Sequence, residues 1–101
     1  MTYTDIFGNT IELTDERWFH IVKEHPEVGQ YKDRIPEVLG APEYVKMSNR
    51  DSEVLLYYKF FKDIFNGKYI IVVAKKQSRS FILSCYITDV IKRGVTIWEK
   101  K

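Results

Sequence analysis

The chain is poor in the residues that build metal and disulfide sites. Its 101 residues include one cysteine and two histidines. The single cysteine, Cys85, cannot form an intramolecular disulfide, and a structural zinc site would need several further ligands. Because disulfide-free chains are typical of reducing compartments, we expect a cytoplasmic protein.

Long apolar runs and a strong charge imbalance are also missing. No run approaches the roughly 20 apolar residues that a membrane helix needs. Residues 1–10 lack the basic start and the apolar stretch of a signal peptide, so we expect no membrane association. The net charge of +2 is compatible with a polyanionic partner but is not diagnostic of one. Since there is neither a glycine-rich phosphate loop nor an acidic cluster for magnesium, we predict no cofactor.

The N-terminal part of the chain predicts a hairpin and two helices within one domain of residues 1–101. Apolar residues make up 45% of the chain, enough for one core. Residues 3–13 read as a short hairpin turning at Gly8. Thr14 is a good N-cap for a first helix that ends by Pro26. A second helix is predicted over residues 31–39, starting as late as position 35 because of Pro36.

From position 43 onward, the spacing of apolar residues changes to every second position, as in a β-strand. Short polar connections separate four β-rich segments, which implies an antiparallel meander. Residues 88–94 suggest one or two helical turns, and residues 95–101 a last edge strand. The predicted fold class is α+β, with two N-terminal helices packed on one face of a four-stranded, or slightly larger, antiparallel sheet. The four segments are EYVKMS, EVLLYYKFF, KYIIVVAKK and SFILSCYIT.

The two histidines lie on different sides of the first predicted helix. At about 100° per residue, their five-residue spacing separates them by about 140°. Helical zinc pairs usually lie four residues apart, so we predict no metal site. His20 falls on the polar side and His25 in the apolar arc near the helix end. His25 is then either a capping or core histidine, or a general acid or base active near neutral pH. The apolar arc consists of Trp18, Phe19, Ile21 and Val22.

The last long strand alternates between an apolar face and a hydroxyl-bearing face. The hydroxyl face is expected to point outward or into a cleft, because helices should cover the apolar face. Hydroxyl groups beside lysines suit a phosphate, and exposed aromatic rings can stack on unpaired bases. Strand register is not readable from the sequence, so whether Lys59 and Lys75 share the hydroxyl face stays open. The apolar face is Phe81, Leu83, Cys85 and Ile87, and the other is Ile82, Ser84, Tyr86 and Thr88.

The order of these motifs resembles a known nuclease superfamily. The sequence LTDERWFHIVKEHPE, then RIPEVLGAPEYV, LLYYK, YIIVVAK and FILSCYITDVIKRGVTIW, resembles small phage- and bacteria-associated proteins of the barnase–EndoU–colicin–RelE-like (BECR-fold) superfamily. The resemblance covers nearly the whole chain. It implies one or two helices followed by a four-stranded antiparallel sheet. It also implies a metal-independent ribonuclease, toxin-like or phage-related, that cleaves RNA by attack of the 2′-hydroxyl on the adjacent phosphate.

The resemblance also implies roles for individual residues. His25 would be the acid or base, and Lys59 or Lys75 would stabilise the phosphate. Arg34 and His20 would contribute to substrate binding. The implied partners are RNA and a cognate inhibitor protein. Two alternatives stay open: an RNA- or protein-binding module without turnover, and a subunit that self-associates through its last strand. The strand hydroxyls implied to position the phosphate are Ser84, Tyr86 and Thr88.

Overall fold

The computed structural model describes residues 1–92 and 94–101. The chain begins with a hairpin of β1 (Thr2–Thr4) and β2 (Thr10–Glu12). Gly8 lies in its turn with a φ of +84°, a left-handed conformation that glycine adopts without steric cost. The predicted hairpin is therefore confirmed.

Helical segments occupy residues 15–40. Helix α1 spans Asp15–Glu24 and begins at the Thr14 N-cap, whose hydroxyl accepts a hydrogen bond from the Arg17 amide. A 3₁₀ segment, Pro26–Arg34, follows. The short helix α2, Ile35–Gly40, has its proline in the first turn, where no amide donor is needed. The second helix thus starts at Ile35, the latest of the start positions predicted from Pro36.

The sheet is larger than predicted and is not purely antiparallel. Over the part of the chain that the structure describes, it has seven strands in the order β1-β2-β6-β5-β4-β3-β7. β2 pairs with β6 in parallel, so the N-terminal hairpin extends the sheet beyond the central meander. The remaining pairs are antiparallel. The later strands are β3 (Tyr44–Met47), β4 (Val54–Phe61), β5 (Lys68–Lys75), β6 (Ser80–Thr88) and β7 (Val95–Glu99).

The main core lies between the helices and one face of the sheet. Val38 and Leu39 of α2 pack there against Tyr57 and Val72 in the two central strands. The opposite, open face carries a second and smaller cluster of Leu56, Tyr58 and Ile71. Burial of apolar area on both faces is the main stabilising contribution to the fold.

A buried carboxylate joins the N-terminal hairpin to the middle of the sheet. Asp5 is 4% exposed and accepts hydrogen bonds from the Asn9 amide and the Tyr57 hydroxyl. Burial and this hydrogen bond raise the pKa of Tyr57 far above its usual range, so the hydroxyl stays protonated. A satisfied buried network of this kind fixes one arrangement of the hairpin on the sheet.

A register shift in the pairing of β5 with β6 changes which side chains of β6 face the helices. The shift falls between Val73 and Ala74 of β5, so that Val73 pairs with Ser84 and Ala74 pairs with Ile82. Ile82 therefore joins the helix-side core with Cys85, although simple alternation had placed it on the hydroxyl face.

Two further expectations were wrong. Of the helical turns predicted over residues 88–94, residues 88–92 and 94 form none, and residue 93 lies outside the described residues. The Thr88 hydroxyl instead bonds to the Val90 backbone. Phe19, assigned to the apolar arc of the first helix, is 68% exposed. The last segment does form an edge strand, β7, which pairs with β3.

Candidate functional site

The candidate site is a groove on the open face of the sheet, with a volume of about 500 Å³. Its floor is apolar and formed by strand residues such as Leu56 and Val73. Its polar lining comes from Tyr86 on β6, Lys92 after β6, and the β3–β4 loop. That size lies within the usual range for small-ligand pockets. The loop residues in the lining are Ser48, Asn49 and Arg50.

Tyr86 is the residue around which the polar groups gather. The Lys92 ammonium lies 5.3 Å from the centroid of its ring. Hydrogen bonding to the Tyr86 hydroxyl raises the pKa of Lys92, while nearby Arg50 acts in the opposite direction. The Lys92 amide also donates a hydrogen bond to the Tyr58 hydroxyl at 3.0 Å, which fixes the backbone there. Lys92 is thus a fully charged cation held at one wall of the groove.

His25 reaches Tyr86 from the helical side of the molecule. His25 directly follows α1 and lies beside the part of β6 that does not pair with β2. Its ring stacks on the Tyr86 ring, with the ring centroids 5.0 Å apart and an angle of 29° between the ring planes. The side chain is 32% exposed. Because Tyr86 belongs to the open face, the imidazole crosses the sheet edge and lies beside the groove.

A carboxylate that the sequence analysis did not single out lies next to His25. Oε2 of Glu27 is 3.9 Å from Nδ1 of His25. The 3₁₀ turn that starts at Pro26 brings the two side chains together. The only signal in the sequence was the HPE motif itself, in which a glutamate directly follows the proline.

The other strand hydroxyls share the open face but differ in availability. Ser84 pairs with Val73, a floor residue, but it is not among the residues that line the groove. Thr88 pairs with Tyr69 and is engaged with the backbone of Val90. Of these two hydroxyl groups, that of Ser84 is therefore the nearer to the groove, through its pairing with Val73.

Two candidate residues, Lys59 and Arg34, lie away from this groove. Lys59 is on the helix side of the sheet, where its ammonium contacts Glu37 and Glu43 at 3.7 Å each. Arg34 forms a two-pronged ion pair with Asp63, which raises the pKa of the arginine and lowers that of the aspartate. These contacts neutralise both cations.

His20 and Lys75 are also separate from His25. His20 is a 57% exposed side chain on α1, 3.9 Å from Glu16. Lys75 does share the open face, two residues beyond Val73, but its ammonium binds the Asp51 carboxylate at 2.9 Å. This ion pair raises the pKa of Lys75 and lowers that of Asp51. The structure therefore brings His25 next to Tyr86, with Glu27 beside the histidine. Lys92 and Arg50 line the same groove as Tyr86, and Ser84 lies near it on β6.

No family model, curated protein or solved structure matches the chain. Within residues 1–92 and 94–101, no three His, Cys, Asp or Glu side chains are grouped so as to hold a metal ion. Nor does any helix in those ranges have the length and apolar character needed to cross a membrane.

Proposed function

We propose that this protein is a metal-independent ribonuclease whose site is the groove beside Tyr86. The observation that carries the proposal is the position of His25, which crosses the edge of β6 and stacks on Tyr86 at the groove wall. Histidine has an unperturbed pKa near neutrality, the range in which a general acid or base is most effective.

The charges of the groove suit the proposed chemistry. Attack of an RNA 2′-hydroxyl on the adjacent phosphate needs a base, an acid for the leaving oxygen, and cations for the developing negative charge. His25 would take the proton of the 2′-hydroxyl and, once protonated, return it to the leaving 5′ oxygen, with Glu27 beside its Nδ1 atom. Lys92 and Arg50 would bind the phosphate oxygens, since neither forms an ion pair with a described residue.

The decisive experiment compares two histidine variants of one helical region. We expect the parent protein to cleave a mixed RNA pool in EDTA and to leave 2′,3′-cyclic phosphate ends. His25→Ala should lower the rate by at least about a hundredfold, the usual contribution of a general acid or base.

His20→Ala is the matched control, because it removes the same side chain from an exposed site away from the groove. It should retain the parent rate, and circular dichroism should show that both variants are folded. Equal cleavage by folded His25→Ala and parent would refute the assigned role.

A second candidate is an RNA-binding module without turnover. One observation favours it: the residues lining the groove include cations, hydroxyls and Tyr86 but neither a histidine nor a carboxylate. Binding of RNA that weakens steeply with salt, with intact RNA recovered under all conditions, would establish this alternative.

A further inference from the structure

A second polar pocket lies where β5 turns into β6. It has a volume of about 300 Å³ and is lined by the turn residues together with the N-terminal hairpin. Lys76 and Arg79 contribute the positive charges, and Ser78 and Ser80 contribute hydroxyls. Asn9, Thr10 and Gln77 complete the lining, so every lining side chain is able to donate a hydrogen bond.

The two cations of this pocket are free to bind an anion. Neither Lys76 nor Arg79 forms an ion pair with any residue in the described ranges, and no lining side chain is a carboxylate. At the opposite end of the sheet, Lys68 lies 3.8 Å from Asp89 and is partly neutralised. The β5–β6 turn therefore holds two cations that no described carboxylate neutralises.

The pocket lies beyond the end of β5, the strand that contributes Val73 to the groove floor. Val73 lies in the groove floor, and Lys76 follows three residues later, about 10 Å away at the usual rise of a strand. The Lys76 amide donates a hydrogen bond to the Glu53 carbonyl, which fixes the start of the turn against the β3–β4 loop. Arg50, in that same loop, lines the groove.

We propose that a single RNA strand bound in the groove extends toward the β5–β6 turn, where Lys76 and Arg79 bind a phosphate other than the scissile one. The inference rests on the proposed RNA ligand, but not on cleavage. Phosphate contacts position a nucleic acid without reading its sequence, and cations with hydroxyl donors make such contacts. The ligand is therefore single-stranded RNA several nucleotides long.

The test measures binding of a fluorescent 2′-O-methyl RNA dodecamer, which cannot be cleaved because its 2′-hydroxyls are blocked. The double variant K76Q/R79Q should bind at least about tenfold more weakly than the parent at low salt, and its slope of log K against log salt should be shallower by about 1. The matched control is R17Q/K23Q, which removes one arginine and one lysine from the exposed surface of α1 and should leave both quantities unchanged.

The outcomes separate this inference from the proposed activity. Parent-like binding and slope in K76Q/R79Q would overturn the phosphate subsite, even if the parent cleaves RNA. An equal loss in R17Q/K23Q would also overturn it, because general charge would then explain binding. No dodecamer binding by the parent would overturn it as well. Weaker binding in K76Q/R79Q alone would support it, even if the parent cleaves no RNA.

Discussion

Lys59 and Lys92 show how neighbouring carboxylates decide what a lysine is available to do. Lys59 lies on the helix side and is shared between Glu37 and Glu43, whereas Lys92 contacts Tyr86 and has no carboxylate partner among the described residues. A phosphate that approached Lys59 would have to displace two glutamates on the face that the helices cover. Lys92 needs no such rearrangement.

Lys92→Met should therefore lower kcat/KM for RNA by about tenfold or more, since it removes a cation from the developing charge. Lys59→Met should leave kcat/KM within about twofold of the parent and change the free energy of unfolding by only about 1 kcal/mol, as is usual for partly exposed ion pairs. Steady-state cleavage assays and urea unfolding would measure both. Loss of cleavage in a folded Lys59→Met protein would show that the groove is not the active site.

His25 shows what could be predicted at the residue scale. The HPE motif and the helix wheel singled out this histidine, and alternation singled out Tyr86. Their contact depends on two features absent from any local pattern: the short pairing of β2, which leaves part of the β6 edge free, and the turn at Pro26. Lys92 and Arg50 were missed because both lie in connections without periodicity, where tertiary contacts alone decide which side chains converge.

At the scale of elements, local patterns predicted most strands and helix ends. Alternation identified β4, β5 and β6, and the Thr14 cap and Pro26 delimited α1. The register shift at Val73 was not predictable, because it is a property of a strand pair and not of one strand. It also moves Ile82 into the core, which alternation could not show.

The attachment of β7 depends on a close approach at Gly94. A Cβ atom at this position would lie 2.7 Å from the Met47 carbonyl oxygen in β3, and a backbone atom cannot move aside cheaply. Gly94→Ala should therefore push the two strands apart and lower the free energy of unfolding by about 1–3 kcal/mol, the usual cost of overpacking. Urea unfolding measures the loss, and hydrogen exchange should show reduced protection in β7.

Gly40→Ala is the control for this substitution. Its Cβ atom would meet nothing closer than the Thr4 carbonyl oxygen at 3.9 Å, an ordinary contact. Because alanine also favours the end of α2, the variant should be as stable as the parent or more stable by up to about 1 kcal/mol. Equal stability of both variants would contradict the close approach of β7 to β3.

At the scale of the whole molecule, the sheet has more strands than the sequence predicted because strands from distant segments of the chain pair with each other. The parallel pair of β2 and β6 joins segments about 70 positions apart, and no local signal encodes that choice. The same pairing brings Asn9 and Thr10 to the β5–β6 turn, where they complete the second pocket. The α+β class was predicted correctly, whereas the strand number depended on this non-local contact.

Global stability should depend on pH through the buried thiol of Cys85. Burial raises the pKa of this thiol from 9.0 to about 12. Between these values the unfolded chain has lost the thiol proton while the folded chain retains it. The unfolded state then binds fewer protons, so the free energy of unfolding falls as pH rises above 9.0, by up to about 1.4 kcal/mol per pH unit.

Cys85→Ala should remove this alkaline loss. The variant is expected to be less stable than the parent at pH 8, because a small cavity replaces the sulfur, but the difference should shrink by about 1 kcal/mol by pH 10. Ile82→Val, a truncation at a fully buried site on the same strand, has no titrating group and should keep a constant deficit. Urea unfolding at both pH values measures these differences. A Cys85→Ala deficit that stays parallel to that of Ile82→Val would mean that the thiol is as accessible to ionisation in the folded chain as in the unfolded one.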